Sequence, residues 1–80
     1  MEKEITNFTK STQRLRIMKH LQKYGSITSL EALREYGIMR LSARIRELRE
    51  RGEKIERSMC SGQNKFGETI HFAEYRLKAE

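Results

Sequence analysis

The chain has 80 residues, of which 36% are apolar, and its 17 lysines and arginines outnumber 11 acidic residues to give a net charge of +6. From that length we expect one small core and no second domain. No run approaches the length of a membrane span, and the first ten residues contain no apolar stretch, so we expect neither a membrane helix nor a secretory signal. With one cysteine and therefore no internal disulfide, we expect a soluble, cytoplasmic, basic domain whose first candidate partner is nucleic acid.

The first predicted element is a helix over about 12–24. Residues 1–10 show no periodicity and are predicted to form a flexible arm ahead of a single domain over 11–80. Ser11 or Thr12 is predicted to cap the helix, and Gly25 to end it. Its apolar stripe consists of Ile17, Met18, Leu21 and Tyr24.

A short strand and a second helix are predicted next. The β-branched segment at 26–28 is too short for a helix and is predicted to be a minimal strand. Thr28 and Glu31 have the T-x-x-E spacing of a capping box, which predicts a helix over about 29–36 ending at Gly37. Leu30 and Leu33 are expected to form its apolar face.

The segment Tyr36-Gly37-Ile38 has the form of a three-residue turn with a central glycine, which is typical of a helix-turn-helix. A third helix is predicted over about 39–51. Its inward face is formed by Leu41, Ile45 and Leu48, at positions i, i+4 and i+7.

From residue 55 onward the apolar period changes from 3.6 to 2, which predicts a β-hairpin. Its loop is expected over 61–67, with a glycine near each end and polar residues between. Tyr75 and Leu77 would lie on the opposite face of the strand from Phe72, since side chains alternate between faces. A β-bulge near Ala73-Glu74 is predicted to bring them to the same face.

This order of elements resembles the winged helix-turn-helix family over about residues 12–78. The resemblance is carried by the segment GSITSLEALREYGIMRLSARIRELRERG and by the hairpin after it. More narrowly, the chain is similar to small winged-helix proteins of bacterial phages and mobile elements. The resemblance implies an α+β fold with three helices, a short strand near 26–28 and a C-terminal hairpin wing. It also implies binding to double-stranded DNA, with helix 3 in the major groove and the wing on the backbone or in the minor groove.

The outward face of helix 3 supplies the candidate DNA contacts. Arginine can bind guanine O6 and N7, glutamate can accept from cytosine N4, and a methyl group can meet thymine. The predicted base-facing residues are Arg40, Ser42, Ala43, Arg46 and Glu47. The predicted backbone contacts are Arg44 and Arg49 on the helix, with Arg57, Asn64 and Lys65 in the wing. The alternative interpretation is that these arginines only make an amphipathic helix soluble, with Glu47 and Glu50 pairing locally.

Motifs for catalysis and metal binding are absent from the sequence. There is no P-loop and no clustered nucleophile and base, and His20, His71 and Cys60 are too scattered for metal ligands. We therefore expect no enzyme activity, no cofactor and no metal. Phe66 either stacks on a partner or packs back under the wing, and the sequence leaves both open.

Two classes of function are favoured over RNA binding, for which a basic wing is suitable but stacking aromatic side chains are missing from the proposed surface. The first is a DNA-binding protein, either a phage or mobile-element transcriptional regulator or an excisionase-like architectural factor. The second is a winged-helix docking module that binds protein and not DNA, since fold alone does not fix function. A homodimer is compatible with both classes, whereas a larger nucleoprotein assembly belongs with the DNA-binding protein.

Overall fold

The computed structural model describes residues 9–78, which form three helices and one three-stranded antiparallel sheet. The order of elements and the α+β class agree with the prediction. In chain order they are α1 (Lys10–Tyr24), β1 (Ser26–Thr28), α2 (Ser29–Tyr36), α3 (Leu41–Glu50), β2 (Ile55–Gln63) and β3 (Thr69–Leu77).

Helix α1 begins before the predicted start, because Thr9 is its cap rather than Ser11 or Thr12. The Thr9 hydroxyl accepts a hydrogen bond from the Thr12 amide at 3.2 Å, and the Thr9 carbonyl accepts the first helical bond from Gln13 at 3.0 Å. Lys10 therefore lies in the helix and not in the predicted arm. The rest of that arm, residues 1–8, lies outside the described residues.

The boundaries of α2 are as predicted, since local chemistry fixes both ends. The Thr28 hydroxyl accepts from the Glu31 amide at 3.0 Å, and the Glu31 carboxylate accepts from the Thr28 amide at 2.9 Å, which confirms the capping box. At the other end Gly37 has φ +68, a left-handed conformation that glycine adopts at little cost.

The core lies between the three helices and one face of the sheet. The predicted inward face of α3 is confirmed, because Leu41, Ile45 and Leu48 are all buried. Ile38, which the sequence analysis did not place inside, is also buried. Within residues 9–78 the buried apolar residues are Ile17, Leu21, Ile27, Ala32, Ile38, Leu41, Ile45, Leu48, Ile55 and Tyr75.

The predicted apolar face of α2 is wrong, since Leu30 and Leu33 are 39% and 49% exposed. Ala32 is fully buried instead, so this short helix turns a small side chain toward the core. Tyr24, predicted on the stripe of α1, is 62% exposed because it is the last residue of the helix. Its ring packs on His20, with the ring centroids 4.6 Å apart.

The sheet has the order β1-β3-β2, with both pairings antiparallel. Strand β1 pairs with only three residues of β3, from Arg76 to Glu74. Strands β2 and β3 pair along their whole lengths, from Ile55 opposite Leu77 to Gln63 opposite Thr69. The far half of this hairpin is therefore a two-stranded ribbon.

The predicted bulge near Ala73-Glu74 is wrong, because the register of β2 and β3 is continuous through these residues. The apolar residues of β3 lie on different faces of the sheet along the strand, without any bulge. Near the body, Tyr75 faces the core, whereas in the ribbon Phe72 lies on the opposite face and packs over Gly62. A Cβ at Gly62 would lie 3.4 Å from the Phe72 ring, so glycine makes room for it.

The hairpin loop is shorter than predicted, because β2 continues through Ser61 and Gly62 to Gln63. Backbone pairing with β3 overrides the low strand propensity of these residues. The loop proper spans residues 64–68, and it closes with a hydrogen bond from the Asn64 amide to the Glu68 carbonyl at 3.0 Å.

Candidate nucleic-acid interface

The start of α3 differs from the predicted one by two residues. The helix begins at Leu41, so Arg40 is its N-terminal cap residue and not a member of the first turn. The chain uses residues 37–40 to turn from α2 into α3, and Ile38 inserts into the core at 1% exposure. Arg40 therefore projects from the turn, directly ahead of the helix.

Four of the five predicted base-facing residues lie together. Arg40, Ser42 and Arg46 are exposed and Ala43 is half-buried, and these side chains line one shallow cleft of about 290 Å³. The small alanine leaves the space between the two arginines open. The arrangement presents two guanidinium groups and a hydroxyl around a methyl group, which are the donor and apolar groups that read base edges in a major groove.

The fifth, Glu47, points away from this cleft. Arg14 of α1 donates to its carboxylate at 2.7 Å and Arg44 at 3.0 Å, so Glu47 pairs locally as in the alternative interpretation. The hydrogen bond from Arg14 holds the pKa of Glu47 below its ordinary value of 4.5. Glu47 was predicted to face outward from its position on α3 alone. That position gives no information on α1, which packs against the side of α3 that carries Glu47.

Two predicted backbone contacts on α3 are engaged within the fold. Arg44 is 7% exposed, and it donates to Glu47 and, at 3.4 Å, to the side chain of Gln13. Its guanidinium group is thus buried and paired, whereas the predicted contact with a DNA phosphate requires this group at the surface. Arg49 is exposed, but its Nε and Nη2 atoms donate to the Ile55 carbonyl at 3.1 and 2.9 Å, which fixes the connection from α3 to β2.

Acid is expected to weaken the contact between α1 and α3. Because the pKa of Glu47 is lowered in the folded state, its stabilising contribution is present above pH 4.5 and is lost as the pH falls through the folded pKa. Glu74, whose pKa Arg76 lowers in the same way, adds to this loss. Urea unfolding of Glu47→Gln should show lower stability than the parent at neutral pH and a smaller decrease on acidification.

The control for this experiment is Glu50→Gln, at an exposed position of the same helix. It should keep the full pH dependence of the parent. Equal acid sensitivity of Glu47→Gln and Glu50→Gln would show that the contact with Arg14 does not stabilise the fold.

Of the residues predicted to act in the wing, Asn64 stabilises the loop, whereas Arg57, Lys65 and Phe66 are exposed. Asn64 uses its side-chain amide inside the loop, where Oδ1 accepts from the Phe66 and Glu68 amides. The side-chain oxygen that was predicted to contact DNA is therefore already used to shape the loop. Lys65 and Arg57 are exposed, and Phe66 is 74% exposed, so it does not pack under the wing.

A further exposed side chain borders the cleft of α3. Met39 lies in the turn beside Arg40 and is 83% exposed, and it is not among the predicted contact residues. It lines a second shallow cleft of about 280 Å³, together with Gln13, Gly37, Arg40 and Arg44. The sequence did contain a signal for this exposed residue, since Met39 is apolar, precedes Arg40 and does not belong to the inward face of Leu41, Ile45 and Leu48.

A third cleft, of about 370 Å³, is not part of this surface. It lies between α1, β1 and α2, and it is lined by His20, Tyr24, Ser26, Glu31, Glu35 and Tyr36. His20 Nδ1 and the Tyr36 hydroxyl share a hydrogen bond of 2.7 Å that joins two helices, and burial raises the pKa of Tyr36. Its two carboxylates disfavour a phosphate, so its chemistry differs from that of the α3 cleft.

The described residues were predicted to hold no metal site, and their one cysteine is Cys60. Over residues 9–78 no group of three or more histidine, cysteine or acidic side chains is placed to hold a metal ion. Burial, reinforced by nearby Glu74, raises the pKa of the Cys60 thiol and disfavours the reactive thiolate. In the same range no helix has the length and apolar character needed to cross a bilayer.

A family model described as a winged helix-turn-helix domain matches residues 12–80. Neither the curated proteins nor the solved structures gave a match. The matched range includes the cleft of α3 and the whole hairpin, so both parts of the candidate interface lie within it.

Proposed function

Since the chain belongs to the winged helix-turn-helix family, whose domains in general bind DNA, we propose that it binds double-stranded DNA through α3 and the hairpin wing. The observation that carries this proposal is the cleft that Arg40, Ser42, Ala43 and Arg46 line at the start of α3. In a helix-turn-helix, this end of the second helix meets the base edges in the major groove.

The charge of the exposed side of α3 favours a polyanion. Arg40, Arg46, Arg49 and Arg51 are exposed, against the exposed carboxylate of Glu50. Glu47 does not offset these charges, because Arg14 and Arg44 already neutralise it. The pairing of Arg44 with Glu47 removes one cation and one anion together, so the exposed side keeps four arginines against one glutamate.

The wing adds weaker, sequence-independent contacts. Lys65 at its tip and Arg57 on β2 are exposed cations on the projecting hairpin. Such side chains bind phosphates and set the register of a protein on the duplex without reading bases. We assign sequence discrimination to the cleft of α3 and backbone positioning to the wing.

The proposed biological role is that of a small cytoplasmic transcriptional regulator or an excisionase-like architectural factor, without enzymatic activity. Both roles need a DNA-binding surface, which the α3 cleft supplies. A docking module remains the competing function, and exposed Met39 beside Arg40 is the observation in its favour. An isolated methionine makes a small apolar surface compared with a typical protein interface.

Duplex affinity measured at several salt concentrations tests the proposal. Four or five exposed cations on phosphates should give a slope of log affinity against log salt of about −3 to −5, at about 0.9 per phosphate. Arg44 does not count toward this number, because it is buried and paired. Fluorescence anisotropy with a random-sequence duplex is sufficient, since this term does not depend on sequence. An affinity that does not change with salt would contradict DNA binding through this basic surface.

A further inference from the structure

The tip of the wing presents an aromatic ring to solvent. Phe66 is 74% exposed within the five-residue loop, and Lys65 places its ammonium group 5.4 Å from the centroid of the ring. Strand β1 stops pairing at Glu74, so the ribbon from Ala73 to Thr69 extends beyond the three-stranded part. Five residues at about 3.3 Å each carry the tip about 17 Å outward.

The loop that carries this ring is held in one shape. Asn64 Oδ1 accepts from the Phe66 amide at 2.9 Å and from the Glu68 amide at 3.0 Å, while its Nδ2 donates to the Glu68 carboxylate at 2.9 Å. The Gly67 amide also donates to the Asn64 carbonyl at 3.0 Å. Because the backbone is ordered in advance, presenting Phe66 to a partner costs little further conformational entropy.

The surroundings of Phe66 distinguish between the possible partners. Among the described residues of the loop, 64–68, it is the sole large apolar side chain, so the tip lacks the apolar surface that a protein interface requires. A wedge into DNA needs one apolar side chain to enter a base step and a cation to hold the flanking phosphate. Lys65 is that cation, and the nearby carboxylate of Glu68 is held by Asn64.

We propose that Phe66 inserts between adjacent base pairs from the minor groove and kinks the duplex, with Lys65 on a neighbouring phosphate. The inference rests on the proposed DNA binding and adds to it the activity of bending. The protein is then an architectural DNA-binding protein, in which α3 selects the site and the wing tip deforms it.

Energy transfer between dyes at the two ends of a short duplex tests this inference. The parent should raise the transfer efficiency, as a kink of about 20–90° shortens the end-to-end distance. Phe66→Ala should still bind but should lose this increase. The parent should also prefer a duplex with a central mismatch by about tenfold, since a mismatched base costs less to unstack, and Phe66→Ala should lose most of that preference.

Two matched variants control the experiment. Met59→Ala removes the other large exposed apolar side chain of the ribbon, 54% exposed, and should bend DNA like the parent. Lys65→Ala should weaken binding to all duplexes and lower the salt slope by about 1, while retaining the bend at saturating protein. Unchanged thermal unfolding of Phe66→Ala should confirm that the fold is intact.

The outcomes separate this inference from the proposed function. Duplex binding without bending by the parent, or undiminished bending by Phe66→Ala, would overturn the wedge and leave DNA binding in place. Absence of any duplex binding by the parent would overturn both.

Discussion

Replacement of Ile45 by alanine is expected to lower the free energy of unfolding by about 2–5 kcal/mol. Ile45 is 1% exposed and lies at the centre of the inward face of α3, between Leu41 and Leu48. Alanine removes three carbon atoms from a close-packed site, so the cost combines lost apolar burial with an unfilled cavity. Small domains are stable by about 5–15 kcal/mol in total, so this single change removes a large part of that stability.

Chemical unfolding with urea measures the effect, and two variants calibrate it. Ile45→Val removes one methyl group and should cost about 0.5–1.5 kcal/mol. Met39→Ala, at a position 83% exposed, should leave the unfolding midpoint almost unchanged. If Ile45→Ala unfolds at the parent's midpoint, the orientation of α3 described above is incorrect.

Loss of either Arg40 or Arg46 is expected to weaken binding to a preferred duplex by about 1–3 kcal/mol, because each guanidinium can grip one guanine edge. Both line the same cleft, and both are exposed, so replacing either with alanine should leave thermal unfolding unchanged. Preference among sequences should also relax at one base position for each variant. Anisotropy titrations against a duplex selected from a random pool measure both effects.

The matched control is Arg34→Ala, which removes a positive charge from another exposed position, on α2. It should reduce affinity only slightly and equally for all sequences, because a remote charge acts through the general electrostatic field. Arg40→Ala and Arg46→Ala with the parent's affinity and an intact fold would instead support the docking function. In that case a bound protein partner should be released by the same two changes.

The structure changes which α3 residues such experiments should target. Glu47 and Arg44 were predicted contacts, but their variants would disturb the junction of α1 and α3 as well as any DNA contact. Arg49 supports the start of β2 through the Ile55 carbonyl. Among the described residues, the side chains of Arg40 and Arg46 form no such hydrogen bonds or ion pairs. A loss of DNA affinity on replacing either arginine can therefore be interpreted without a change in stability.

Local chemistry was sufficient to predict most of the secondary structure. The capping box at Thr28 and Glu31, and the glycines at 25 and 37, act through bonds and backbone angles within a few residues, so they can be recognised in the sequence. The stripe of Leu41, Ile45 and Leu48 is likewise a property of one helix. The element order followed from these signals, and with it the resemblance to the winged helix-turn-helix family.

The residues that the sequence misplaced are those whose environment a second element supplies. Arg44 and Glu47 are turned inward because α1 packs over one side of α3 and provides Arg14 and Gln13 as partners. No period within α3 contains that information. The side of α3 that is accessible to a partner is therefore narrower than the predicted outward face, and it is centred on Ser42, Ala43 and Arg46.

The sequence by itself determined the elements, their order and the arginine-rich face, because each depends on neighbours along the chain. Tertiary structure decided which arginines stay free, how far the ribbon projects and where Phe66 points. The pairing of Ser61, Gly62 and Gln63 with β3 depends on backbone bonds to a distant strand rather than on local propensity. The same pairing places Asn64 at the base of the loop, where its amide orders the tip and leaves Phe66 and Lys65 facing solvent.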